Sequence, residues 1–130
     1  ARTYFGETLK KQQFTALAQL AWSSNPESPP TSTLATSGIP TAANNFAGAN
    51  YPHFSHPGMD KLIDEVQREL DPAKRKPLWY EMQKIYTDEL PVLPLFFRTD
   101  VYVVPKWLTG ILRPGQLPSN YYGVETWGVR

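Results

Sequence analysis

Residues 71–97 read DPAKRKPLWYEMQKIYTDELPVLPLFF and decide the fold, because they predict a capped helix followed at once by a strand. Asp71 suits the N-cap position and Pro72 suits the first helical position. Apolar residues recur at helical spacing until Pro91, which must end the helix. The continuous apolar run at residues 92–97 predicts a buried strand. A helix that leads directly into a buried strand is typical of a layered α/β protein.

Residues 57–70 predict a second helix, in which the apolar side chains form one stripe. The stripe consists of Met59, Leu62, Ile63, Val66 and Leu70. The charged residues Asp60, Lys61, Asp64, Glu65 and Arg68 lie largely on the opposite face. Burial of the stripe is expected to fix this helix in the fold, since a fully buried large aliphatic side chain contributes about 1.5 to 3 kcal/mol.

The other segments predict one helix, one strand and two irregular regions. Residues 3–11 favour a helix, and residues 14–22, FTALAQLAW, favour a buried strand. Residues 23–57 show no sustained periodicity, yet their aromatic residues predict an ordered, packed binding loop rather than disorder. Residues 105–130 alternate proline and glycine with aromatics, which predicts an irregular tail with short strands.

The composition excludes several functional classes. The chain has 130 residues, 41% hydrophobic and 19% charged, which predicts about one small globular domain. A net charge of +1 gives no electrostatic surface for nucleic acid. No apolar stretch reaches the roughly 18 residues of a membrane-spanning helix, and the absence of cysteine excludes disulfides and thiolate metal sites. Ala1 opens the chain without a signal peptide, so we expect a removed signal or an internal piece.

Neither candidate for catalytic or metal chemistry is favoured over an ordinary structural interpretation. His53 and His56 have a spacing that brings two imidazoles near one metal, but no third ligand stands nearby. Asp60 and Asp64 share a helix face, as the paired carboxylates of a hydrolase do, and a solvent-facing role is favoured for both. The chain has no nucleophile elbow, phosphate-binding glycine loop or zinc-protease motif. The sequence therefore predicts no enzyme, no catalytic residue, no metal and no cofactor.

Trp22 is the first candidate for ligand recognition. It ends the predicted strand at residues 14–22, and a turn rich in proline and small polar residues follows it. An aromatic side chain beside convergent polar groups is typical of a ligand site. The alternative, that Trp22 fills the core, fits the same pattern equally well.

Three segments in order along nearly the whole chain resemble the C-terminal portion of bacterial extracellular solute-binding proteins of family 5. The first is FTALAQLAWSSNPESPP at residues 14–30, and the second is NYPHFSHPGMDKLIDEVQRELDPAKRK at residues 50–76. The third is LPVLPLFFRTDVYVVPKWLTG at residues 90–110. Members of this family are receptors that deliver peptides to ATP-driven importers.

The resemblance implies an α/β fold, namely the C-terminal part of a two-lobed, periplasmic-binding-protein-like type II fold that is incomplete on its own. Residues 1–91 would form part of lobe II, and residues 92–130 a hinge-crossing strand and a return segment to lobe I. The implied partners are ABC permease subunits and the rest of the receptor chain, with self-association of the isolated piece. The implied location is periplasmic or extracellular, with a lipid anchor possible at the missing N-terminus.

The resemblance also implies a set of ligand-binding residues: Trp22, Asn25, Asn50, Tyr51 and Arg98. Peptide-binding relatives carry an Asp at the position of Asn25, where its carboxylate pairs with the amino terminus of the peptide. An amide cannot neutralise an ammonium group, although Glu27 stands nearby. The implied function is peptide capture in an interlobe cleft. A receptor for an oligosaccharide or other solute is the alternative, and a carbohydrate-active enzyme or independent interaction module is the alternative of another class.

Overall fold

The computed structural model of the chain describes residues 3–15, 17–22, 28–97, 101, 103–111 and 123–130. Its regular elements in chain order are a π-helical turn at Tyr4–Leu9, α1 at Thr31–Leu34, 3₁₀ turns at Thr36–Gly38 and Ala42–Asn44, α2 at Pro57–Arg68, α3 at Pro72–Glu89, β1 at Leu108–Thr109, a 3₁₀ turn at Val124–Thr126, and β2 at Gly128–Val129. The described residues are thus mainly helical with a small two-stranded sheet, which is compatible with part of an α/β fold. None of the described helices has the length and apolar character needed to cross a membrane.

The described residues fall into two compact units. The first holds those within Ala1–Ala21 and Ser28–Leu93, and it contains all three α-helices. The second holds those within Trp22–Glu27 and Pro94–Arg130, and it contains both strands. The lobe boundaries implied by the resemblance stay a prediction.

Helix α2 confirms the helix expected at residues 57–70, with a C-terminus two residues earlier. Pro57 occupies its first turn, and its buried side chains are Met59, Ile63 and Val66. The placement of Leu70 in the apolar stripe is wrong, because the helix ends at Arg68 and Leu70 is 88% exposed. Once the helical period stops, Leu70 no longer points to the same side as the residues before it.

Helix α3 confirms the predicted capped helix. The Asp71 carboxylate accepts a hydrogen bond from the Ala73 amide at 2.9 Å, and Pro72 is the first helical residue. The helix continues through Pro77, which lacks the amide hydrogen that would bond one turn back. It ends at Glu89, and the next residue, Leu90, adopts the left-handed conformation directly before Pro91.

The core of the first unit lies where α2 packs against α3 and the end of α1. Its buried apolar side chains are Ala35, Met59, Ile63, Val66 and Met82. Partly buried apolar side chains surround them, namely Leu34, Phe54, Leu62, Leu78, Trp79, Ile85 and Tyr86. Phe54 brings the predicted irregular loop into this core, so the loop is packed as expected over residues 28–56.

The buried strand predicted at residues 92–97 is wrong. The structure gives this segment no strand pairing, and its large apolar side chains from Leu93 onward are exposed, from 63% at Leu95 to 87% at Phe97. The Tyr86 hydroxyl donates to the Val92 carbonyl at 3.2 Å, and burial raises the pKa of Tyr86. A strand needs a neighbour for its backbone groups, and the described residues supply none here.

The N-terminal segment also departs from its prediction. The helix expected at residues 3–11 is present, but it is a π-helical turn at Tyr4–Leu9. The buried strand expected at residues 14–22 is wrong for the part of this stretch that the structure describes, since it has no strand pairing and Leu17 is 96% exposed. The Tyr4 hydroxyl donates to the Gln19 carbonyl at 2.8 Å, and this hydrogen bond links the π-helical turn to the segment that was expected to be a strand.

The second unit confirms short strands in the C-terminal tail. Strands β1 and β2 pair antiparallel, with Leu108 opposite Val129 and Thr109 opposite Gly128. The Thr126 hydroxyl lies 2.6 Å from the Gly110 carbonyl oxygen and 2.7 Å from that of Gly123, and it can donate to either. Gly110 has φ +77°, and a Cβ there would lie 1.9 Å from the Thr126 carbonyl oxygen, so no larger residue fits.

Candidate functional site

Asn50 organises the loop at residues 28–56 from within. Its side chain is fully buried, and its amide nitrogen donates to the Ala35 carbonyl at 2.9 Å and the Phe54 carbonyl at 2.8 Å. Its amide oxygen accepts from the Phe54 backbone N–H at 3.0 Å. Both ends of one amide therefore fasten three backbone groups of the loop. The structure shows this internal role, and a contact between Asn50 and ligand stays a prediction.

Asp60 joins the loop to the first turn of α2. Its carboxylate accepts from the Thr36 backbone N–H at 2.8 Å and from the Thr36 hydroxyl at 2.6 Å. The Thr36 hydroxyl also lies 3.0 Å from that of Ser55. The expectation that Asp60 simply faces water is therefore wrong, because a partner 24 residues earlier in the chain uses its carboxylate.

Asp64, one turn further along α2, behaves as expected of a surface carboxylate. It pairs with Arg68 at 3.8 Å, and both side chains are exposed. Exposed pairs of this spacing contribute little, about 0.3 to 0.5 kcal/mol. The two aspartates therefore share a sequence spacing but differ in their surroundings, and neither arrangement is that of a paired acid and base.

Tyr51 occupies the part of the loop beside the N-terminal segment. Its side chain is half-buried, and its carbonyl accepts from the Gln12 side-chain amide at 3.1 Å. In the same region the Lys11 ammonium lies 5.5 Å from the centre of the Phe46 ring, a cation–π distance. The loop thus rests on the residues that follow the π-helical turn, and Tyr51 is the more accessible of the two predicted loop residues.

Gly48 allows the loop to fold back on itself. It has φ +100°, and a Cβ at this position would lie 2.1 Å from the Gly38 carbonyl oxygen. The neighbouring amides of Ala49 and Asn50 donate to the carbonyls of Ser32 and Gly38, at 3.0 and 3.1 Å. Only glycine fits such a close backbone approach.

A shallow pocket of about 410 Å³ lies between α1 and the first two turns of α2. Its polar lining consists of Thr31, Thr36, Ser37, Asp60, Lys61 and Asp64. None of the predicted ligand-binding residues that the structure describes, namely Trp22, Asn50 and Tyr51, lines it. The spacing of Asp60 and Asp64 in the sequence indicates the wall of the pocket that α2 forms. Nothing in the sequence near Thr36 and Ser37 indicates the opposite wall.

The remaining predicted ligand-binding residues are placed as follows. Trp22 belongs to the second unit and is 39% exposed. Asn25 and Arg98 lie outside the described residues. Asn50 and Tyr51, which are neighbours in the sequence, lie in the loop of the first unit. The full set stays a prediction.

The two histidines have different surroundings. The imidazole Nδ1 of His56 accepts from the Met59 backbone N–H at 3.2 Å and caps α2. His53 is exposed and adopts φ +55°. Among the residues that the structure describes, no three histidines or carboxylates lie together as a metal ion would require.

Comparison with known proteins gives one informative similarity. Over 68 residues, 52% of its length, the chain is 37% identical to the oligopeptide-binding protein OppA of Bacillus subtilis (strain 168). The match spans 12% of that relative's length. No family model matches the chain, and no solved structure matches it significantly. The similarity is thus to part of a binding protein rather than to an enzyme.

Proposed function

We propose that this chain is a segment of a solute-binding receptor that captures peptides and delivers them to an ABC importer. The observation that carries the proposal is the 37% identity over 68 residues to an oligopeptide-binding protein. Such a receptor acts outside the cytoplasmic membrane, in the periplasm or the extracellular space. It performs no covalent chemistry, and its other partners are the permease subunits.

The loop at residues 28–56 supports a binding role through the hydrogen bonds that hold it. Asn50 fixes three backbone groups from a buried position, and Asp60 fixes Thr36. A loop that is ordered before the ligand arrives loses less conformational entropy on binding. In a two-lobed receptor, ligand held between the lobes shifts an open–closed equilibrium by the difference in its affinity for the two states.

The ligand class is tested by calorimetric titration of the complete receptor. We expect heat of binding with a mixture of short peptides and none with a mixture of oligosaccharides. The opposite pattern would support the second candidate, an oligosaccharide or other solute receptor of the same scaffold. That candidate is favoured by Asn25 and by the 13% aromatic content, since aromatic rings stack on sugar faces. Heat from neither mixture would contradict both.

The variant Asn25→Asp is expected to bind peptides with a free amino terminus about tenfold more tightly than the wild-type receptor does. A carboxylate forms a charge-assisted hydrogen bond with an ammonium group, and the gain over an amide is about 1.4 kcal/mol. The measurement is the ratio of Kd values for a free and an N-acetylated form of one peptide. Asn45→Asp, which adds the same charge at an exposed position, is the control. An unchanged ratio of Kd values in Asn25→Asp would contradict the proposal that residue 25 binds the amino terminus of the peptide.

The exposed apolar segment at residues 93–97 supports the proposal that this chain is part of a larger receptor. Four large apolar side chains stand open to solvent within five residues, namely Leu93, Leu95, Phe96 and Phe97. An exposed apolar segment whose backbone groups lack strand partners is a surface for another strand. We propose that the remainder of the same receptor packs against residues 93–97.

The isolated 130-residue chain is therefore expected to self-associate, since nothing else is present to cover residues 93–97. Light scattering should give a mass above that of the 14.7 kDa monomer, and Phe97→Lys should lower it. Leu17→Lys adds the same charge at an equally exposed but separate leucine and should leave the mass unchanged. A compact monomer that melts cooperatively would contradict the expectation.

A further inference from the structure

Helix α2 begins with a histidine in the place usually taken by serine, threonine, aspartate or asparagine. His56 has the extended backbone of an N-cap residue, and its Nδ1 accepts the Met59 backbone N–H at 3.2 Å. Helix α3 begins in the ordinary way, with the Asp71 carboxylate accepting the Ala73 N–H at 2.9 Å. The chain thus starts its two long helices with caps of different chemistry.

The His56 cap works in one protonation state of the ring. Nδ1 accepts a hydrogen bond through its lone pair, so the neutral ring carries its proton on Nε2. Protonation places a second N–H donor against the Met59 N–H donor, and it adds positive charge where the helix dipole already presents positive charge. Imidazole is the side-chain type whose ordinary pKa places its change of charge between about pH 5 and 8, whereas a carboxylate of ordinary pKa stays ionised over that range.

Packing fixes the ring in its capping position. The Phe54 ring stacks on it, with a centroid distance of 6.1 Å and an interplanar angle of 10°. Gly58 leaves the space that the ring needs, since a Cβ there would lie 2.9 Å from Cε1 of His56 and 3.4 Å from Cδ1 of Ile85 in α3. A ring confined in this way cannot move aside to relieve the donor–donor contact without losing these contacts.

The surroundings give the protonated ring little compensation. Asp60 follows one turn along α2, and its two carboxylate oxygens already accept from Thr36. The other groups identified against the ring, Phe54 from the loop and Gly58 at the start of α2, carry no charge, and neither does Ile85, which approaches Gly58 from α3. Among the described residues, no carboxylate pairs with a ring nitrogen of His56 within 4.0 Å.

We infer that His56 is a pH-sensitive cap, and that acidification weakens the start of α2 together with the end of the loop at residues 50–56. The two are linked because Phe54, which stacks on the ring, is also the residue whose backbone N–H and carbonyl Asn50 fastens. The inference goes beyond peptide capture and does not depend on it.

The test compares thermal melting of the protein at pH 8 and pH 5 in three forms. His56→Asn keeps a capping acceptor that does not titrate, and His53→Asn removes the chain's other histidine, which is exposed. Between the two pH values we expect the Tm of the wild type and of His53→Asn to fall about 3 to 6 °C more than that of His56→Asn.

A second measurement needs no variant. In the wild type, the amide proton resonance of Met59 should move as the pH falls from 8 to 5, while that of Ala73, capped by Asp71, should not. Equal Tm decreases in wild type and His56→Asn would overturn the inference, as would a Met59 resonance that stays in place. If the additional Tm decrease is absent in His53→Asn, the effect belongs to His53 and not to His56, and the inference is overturned as well.

Discussion

Replacement of Ile63 by alanine should lower the free energy of unfolding by about 2 to 5 kcal/mol, the range for truncating a large aliphatic side chain in a packed core. Ile63 is 2% exposed and lies in the cluster that joins α2 to α3 and the end of α1. The loss has two parts, the apolar area returned to water and the cavity left among Met59, Val66 and Met82.

Leu70→Ala is the matched control for Ile63→Ala. It removes a similar aliphatic side chain from a leucine that the sequence placed on the same stripe but that is 88% exposed. Its expected effect is within about 0.5 kcal/mol of zero. Urea unfolding of both variants measures the difference. Similar losses in the two variants would show that α2 does not bury the face described above.

Replacement of Asn50 by alanine should cost about 2 to 4 kcal/mol, because it removes three hydrogen bonds to backbone groups of the loop at once. The Ala35 carbonyl, the Phe54 carbonyl and the Phe54 N–H each lose their bond to the Asn50 amide. The Asn50 side chain is fully buried, so water does not take the place of its amide without rearrangement of the loop.

Gln67→Ala is the control for Asn50→Ala. The Gln67 amide donates to the Thr31 hydroxyl at 2.7 Å, but this bond is exposed, and its loss should cost at most about 1 kcal/mol. Urea unfolding gives the two free energies, and hydrogen exchange at the Phe54 amide reports the loop itself. If Asn50→Ala leaves the Phe54 amide as protected as in the wild type, Asn50 does not fasten the loop.

The two long helices could be predicted because their signals are local. Asp71 and Pro72 identify the start of α3, and the apolar period identifies α2 with its buried face. The strands at residues 14–22 and 92–97 were wrong for a physical reason. An apolar run reports that side chains prefer burial, but a strand also requires a second strand, and the sequence of the run does not contain that partner.

The candidate site was less predictable than the helices. Asn50 was identified through resemblance, yet its buried amide network joins residues whose proximity no periodicity encodes. Asp60 and Thr36 stand 24 positions apart, so their bond exists only once the loop has folded back on α2. The residue type of His56 does not indicate a cap, because the usual capping residues are short and polar, whereas its position before Pro57 is a signal for one.

The backbone contact between Gly48 and Gly38 has a consequence for how the loop can diverge. The chain leaves and returns at one place, where the Ala49 and Asn50 amides bond to the Ser32 and Gly38 carbonyls. Residues 39–47 therefore form a closed loop whose two ends are joined by backbone hydrogen bonds. Substitutions on its exposed residues leave that closure in place. Related proteins can thus vary residues 39–47 while keeping the same core, provided that Gly48 remains and also Gly38, where a Cβ would lie 2.6 Å from the Ser32 carbonyl oxygen.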